Sequence, residues 1–396
     1  MRVRTNSTKR QSFAILVLLG LAIVLVGDAQ AGSFERAKRI HDRLVGIPPS
    51  DFVLGQMAQL ITDGDPSAAA ELAMQNPLFY NVVLKDFATP WTNQERTVYA
   101  PLNDYTATVI GIIRDRRSFK EVLTGDIIYV GQTQQPGYSF NSNAHYEALE
   151  ASGADLSDPN VLERRLQSEL ATNWLRPDEA AGVMTTRAAG LAFFKDGTNR
   201  RMFRYTAINY LCRDMEGLQD NALSNDGIRQ DVTRSPGGDS SIFLNTCSGC
   251  HTGMDPFTGS FAYYNWVGDE ADGRVEYTRG DVQDKYFINA NTFPFGYVTV
   301  DDHWKNYWIT GANSILGWRS AATEGFGAQS FGRQIAESEG FSRCQVEKVF
   351  ERVCFKPPSD LDDRSEVENI RQDFETNGYD LMDVFADVAT YCSEGL

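Results

Sequence analysis

The sequence predicts a mainly α-helical protein with long irregular loops. Three observations lead there. Apolar residues recur at helical spacing in one segment after another, as at Phe203, Ala207, Tyr210, Leu211 and Met215. Runs that would mark strands are scarce, apart from a short apolar stretch near Ile127–Val130. Polar, glycine-bearing segments separate the periodic ones, at 131–143, 224–241 and 262–330. With 396 residues the chain is long for one core. It divides into a leader (1–31), an N-terminal helical module (32–175), a central module (176–330) and a C-terminal helical module (331–396).

The leader has the layout of a secretory signal. Arg2, Arg4, Lys9 and Arg10 precede an apolar run from Phe13 to Val26, and Ala29-Gln30-Ala31 offers small residues for cleavage. The 14-residue run is short of the ~20 residues a spanning helix needs. Cleavage would leave no stable membrane span and a periplasmic or secreted protein, in a compartment that permits disulfides. It would remove four cations and one anion from 37 and 53, moving the net charge from −16 to −19. A surface that acidic excludes nucleic acid as a partner.

Helices are expected over Ser33–Val45, ended by Pro48 and Pro49, and from Phe52 to Leu60. Asp63, Asp65 and Ser67 begin like a calcium loop, but position six is Ala68 and the terminal Glu is missing, so a capped helix start is the reading. Further helices are expected within 102–131, over Val161–Trp174 and Ala188–Phe194, and from Thr198 onward. Gly237-Gly238 belongs to neither a P-loop nor a dinucleotide fingerprint. A short helix is expected at "SIFLNTCSGCH". Residues 262–330 read as irregular, turning at Gly268, Gly273, Gly280 and Gly296. Ser330–Cys354, Ser365–Asn377 and Asp380–Cys392 return to helix.

The chemistry is concentrated in Cys247-Ser248-Gly249-Cys250-His251, a CxxCH motif that reads as a site for one covalent haem c. Two intervening residues place two thiols against neighbouring porphyrin edges, and the adjacent His251 becomes the proximal iron ligand. Zinc would need two more ligands at close spacing, and the other cysteines form no second CxxC pair. A redox CxxC belongs beside a βαβ unit, which is absent here. The fold class expected is therefore mainly α, with a cytochrome c-like haem module between two helical modules.

With these residues the chain resembles the multi-module cytochromes c first noted in planctomycetes and also found in proteobacteria. The resemblance rests on "CSGCHTGMDPFTGSFAYYNW", on the upstream "GVMTTRAAGLAFFKDGTNRRMFRYTAINYLC" and on the downstream "IAESEGFSRCQVEKVFERVC". More weakly, "HDRLVGIPPS" and "NPLFYNVVLKDF" match the family's leading module. Where the family's end module closes on Gly-Arg, Cys354 is followed here by "FKPPSD". The resemblance implies a cytochrome without naming a pathway. It also places Met184 near the haem, which makes Met184 the first candidate for the distal ligand. His303, 52 residues beyond the motif, is the second. Met254 is too close to His251 to reach the opposite haem face, and Met202 and Met215 read as core.

Arg200, Arg201 and Arg204 are expected either on a haem propionate or on the chain's own acids. Trp304, Trp308, Trp318, Tyr263 and Tyr264 either line the haem or fill the core. No catalytic constellation is visible. Three functions remain: a monohaem electron carrier between redox protein partners, a peroxidase-like or oxidase-associated enzyme with an open iron, and a haem that only cross-links the fold. Cys212, Cys344, Cys354 and Cys392 are expected to form two disulfides. One continuous helix through 341–353 would hold Cys344 and Cys354 roughly 15 Å apart. That excludes 344–354 together with 212–392 and leaves two connectivities open.

Overall fold

The computed structural model describes residues 32–228, 240–286 and 297–394. The leader, the Gly237-Gly238 pair and Gly296 lie outside the described residues. The chain is mainly helical, with three two-stranded antiparallel ladders among the described residues. The described helices of eight or more residues are α1 (Ser33–Val45), α2 (Asp51–Thr62), α3 (Pro66–Met74), α4 (Asp104–Arg114), α5 (Ala144–Ala151), α6 (Asn199–Leu211), α7 (Ser248–Thr258), α8 (Gly327–Ala336), α9 (Glu339–Cys354), α10 (Leu361–Thr376) and α11 (Leu381–Glu394).

Local signals set many of these boundaries. Gly46 ends α1 in the left-handed region, and Ser50 caps α2 by accepting from the Val53 N–H. The Asp63–Ser67 stretch is the expected helix start: Asp65 accepts from the Ala68 N–H at the head of α3. Thr198 precedes α6, as its sequence indicates.

Four expectations are corrected. Val161–Trp174 is not a helix. Leu162–Arg165 forms a strand (β2) against Ile128–Gly131 (β1), followed by a single helical turn. Its Leu, Glu, Arg and Gln favour helix locally, but pairing with β1 overrides that weak preference. Residues 262–330 hold two hairpin ladders, β3 (Tyr264–Val267) with β4 (Arg274–Tyr277), and β5 (His303–Lys305) with β6 (Glu324–Phe326). The helix expected through Met215 stops at Leu211, because Cys212 takes a left-handed φ of 53° and Met215 starts a separate turn. Ser330–Cys354 is two helices, since Ser338 caps α9 by accepting from the Phe341 N–H.

The first and last described helices pack together. α1 and α3 pack on α11, which in turn packs on α9 and α10. Arg36 pairs with Glu394 at 2.6 Å, and Arg43 donates to the Val353 carbonyl at 2.7 Å. The sulfurs of Cys212 and Cys344 stand at bonding distance with Cα atoms 5.3 Å apart, and those of Cys354 and Cys392 with Cα atoms 5.6 Å apart. This is one of the two connectivities left open, and α9 runs unbroken between Cys344 and Cys354 as required. The first bridge ties the end of α6 to α9; the second ties α9 to α11.

An aromatic core fixes the central region. Phe257, in the last turn of α7, lies 5.3 Å from Phe203 on α6, 5.3 Å from Trp308 and 5.5 Å from Phe331 on α8. All four rings are buried. Removing such a side chain costs about 3–5 kcal/mol, so this cluster holds α7 against α6 and α8.

Candidate functional site

α7 carries the CxxCH motif at its start. A π-helical turn, Phe243–Cys247, leads into it. Successive helical residues point about 100° apart, so Gly249 and Gly253 share one face and His251 and Asp255 share nearly the opposite one. The glycine face is buried by close approach. A Cβ on Gly253 would lie 2.0 Å from Trp308 Nε1, and one on Gly249 2.5 Å from Asn221 Oδ1. Cys247, Cys250 and His251 stay partly exposed, while Thr252, Met254 and Asp255 are buried. Met254 packs into the core beside the motif, as its spacing implied.

His251 Nδ1 lies 3.1 Å from both carboxylate oxygens of Asp255, one helical turn on. Arg200, at the start of α6, grips the same carboxylate through Nε at 2.6 Å and Nη2 at 2.8 Å. Asn199 Nδ2 donates to the Thr258 carbonyl at 2.9 Å, docking the start of α6 on the end of α7. Burial alone would push the Asp255 carboxyl up. The Arg200 charge, then its hydrogen bonds and that of His251, instead hold it far below the usual carboxylate range. An ionised carboxylate only accepts hydrogen bonds, so Nδ1 is the donor in this pair.

Cys247 and Cys250 are the two cysteines not engaged in a bridge. Burial, followed by Cys247, Asp214 and Glu216, raises the Cys250 thiol above its ordinary range. That opposes the lowered thiol expected of a reactive redox CxxC. Among the described residues no three His, Cys, Asp or Glu side chains gather as a metal cage, so the zinc alternative finds no further ligands there.

The two candidates for the distal ligand are each held by other neighbours. Met184 is buried between α6 and α8, where its Sδ accepts from Thr206 Oγ1 at 3.7 Å and its methyl faces Gly332. Thr206 is about 9 Å along α6 from Arg200 and a third of a turn round. His303 sits on β5 with its carbonyl against Gly259, past the far end of α7 and about 12 Å along the axis from His251. Its ring lies against Phe326, and Nε2 stands 3.8 Å from Glu324. Met215 is buried in the core as expected, but beyond the end of α6, and it flanks the motif: its carbonyl lies 3.5 Å from Cys250 Sγ.

Arg200 and Arg204 are both engaged by the chain's own acids, Arg204 bidentately by Asp214 at 2.7 and 2.6 Å. Trp304 and Trp308 are fully buried. A cleft of about 810 Å³ lined by residues such as Asn93, Asn103, Glu147 and Arg187 includes none of the motif residues. Sequence reasoning missed Asp255 as the partner of His251. The signal was present as a His and an Asp four apart on one helix, a spacing at which side chains meet. No family model, curated protein or solved structure matches this chain.

Proposed function

We propose that this protein is an exported c-type cytochrome that holds one haem on Cys247, Cys250 and His251 and passes single electrons between periplasmic or secreted protein partners. One observation carries the reading. Four of the six cysteines pair with one another, and the two left as thiols are those of CxxCH, partly exposed on the helix that also orients His251. The residues present suit the group. Two thiols in one turn would hold a porphyrin edge, and His251, with Nδ1 engaged by Asp255, would offer Nε2 to the iron. Haem bound there would supply a one-electron iron couple. Asp255 and Arg200 hold the imidazole in orientation, and the Phe257 cluster fixes the helix beneath it.

A second reading is a peroxidase-like or oxidase-associated enzyme with an open iron position, consistent with Met184 being buried against Thr206 and the His303 ring packing on Phe326. Protein produced with a working cytochrome c maturation system tests both. Intact mass must show covalent haem; its absence refutes the proposal. A reduced spectrum unchanged by carbon monoxide supports the electron carrier, whereas rapid carbon monoxide binding supports the open site.

A further inference from the structure

We infer that Asp255 is a positioning residue that sets the electronic character of His251, engaging Nδ1 through its carboxylate and biasing an iron held on Nε2 toward the ferric state. This rests on the haem reading above. The geometry comes from the chain itself. Nδ1 meets a carboxylate within its own helix at 3.1 Å, and that carboxylate is 7% exposed and clamped by two Arg200 nitrogens. Water is therefore largely excluded as a competing partner, and Asp255 has no room to swing away.

A hydrogen bond to a carboxylate draws the Nδ1 proton more strongly than one to a neutral carbonyl, and so makes Nε2 a stronger donor. Stronger donation favours the higher charge on iron. Arg200 has the complementary role. Its two nitrogens hold both oxygens of the Asp255 carboxylate, so the carboxylate stays aimed at Nδ1. The three groups lie on two helices docked by Asn199 and Thr258, so the arrangement does not depend on a bound group to assemble it.

The test uses holoprotein of the wild type, Asp255→Asn and Asp255→Glu, with haem attachment confirmed by mass before any comparison. Potentiometry should show that Asp255→Asn loses at least tenfold of the preference for ferric over ferrous iron, an upward shift of about 59 mV for one electron. Asp255→Glu, which retains an acceptor carboxylate, should return toward the wild type. An Asp255→Asn holoprotein with unchanged potential overturns the inference while leaving the haem reading intact. Wild type that attaches no haem instead overturns the reading beneath it. If Asp255→Asn does not accumulate, NMR of the diamagnetic ferrous wild type decides, low-spin as prepared or made so with carbon monoxide where the site is open. A downfield, exchange-protected Nδ1 proton on His251 supports the inference, and a freely exchanging one overturns it.

Discussion

Gly253→Ala tests whether α7 is seated as closely as the structure shows. Alanine normally stabilises a helix interior by about 0.8–1.0 kcal/mol over glycine. At Gly253 the added Cβ would lie 2.0 Å from Nε1 and 2.6 Å from Cε2 of Trp308. Both lie well inside the 3.4 Å at which ordinary contact begins. Trp308 is fully buried and packed on Phe257 and Phe203, so it has little freedom to retreat. Overpacking of this kind costs about 1–3 kcal/mol, and the upper end applies because an indole in a dense cluster must move. After the propensity gain, a net loss of about 1–2 kcal/mol is expected. Gly55→Ala is the internal control. Gly55 lies in α2, has no left-handed φ and has nothing within 4 Å of its Cβ position, so that change should stabilise by up to about 1 kcal/mol. Urea unfolding of the two variants and the wild type should give midpoints displaced in opposite directions. Equal stabilisation by both substitutions would refute the close approach of α7 to Trp308.

Further outcomes follow from the same structure. If the proposed haem is attached, Cys247→Ser should leave at most one thioether and lower the haem yield on denaturing gels, whereas His251→Ala should abolish a normal low-spin spectrum. Non-reducing peptide maps should contain Cys212–Cys344 and Cys354–Cys392 peptides; a Cys344–Cys354 peptide would contradict the continuity of α9. With sequence separations of 132 and 38, opening the first bridge should cost about 5 kcal/mol and the second about 4 in the chain-entropy relation, so reduction of the first should lower stability more. Burial, reinforced by Asp383, Asp373 and Glu366, pushes the Asp387 carboxyl up to about 6. The folded state therefore holds this proton more tightly than the unfolded chain, and stability falls as pH rises from about 4 to about 6. Asp387→Asn should stabilise the protein at pH 7.5 by about 1 kcal/mol, allowing for solvent screening of a half-buried group, and give no advantage near pH 4. An equal gain at both values would show that the carboxyl is not strained by its surroundings.

Features of the chain governed by neighbours in sequence are legible in the residues themselves. Gly46 after α1, Ser50 before α2 and Asp65 before α3 act through the backbone groups beside them, so their meaning survives without tertiary context. The same holds for the helical period of α6 and α9 and for the motif itself, whose two thiols and imidazole lie within five residues. The unbroken α9 also separates Cys344 from Cys354 by its rise alone. Tertiary structure decided what depends on distant partners. β2 is a strand because β1 lies beside it, despite residues that favour helix. Cys212 adopts the left-handed region and redirects the chain, so Met215 arrives beside Cys250 rather than on α6. Arg200 meets Asp255 across 55 positions, and α1 meets α11 from opposite ends of the chain. Such pairings carry no periodic trace in the sequence, because each is set by the simultaneous packing of elements whose order along the chain does not reveal which will touch.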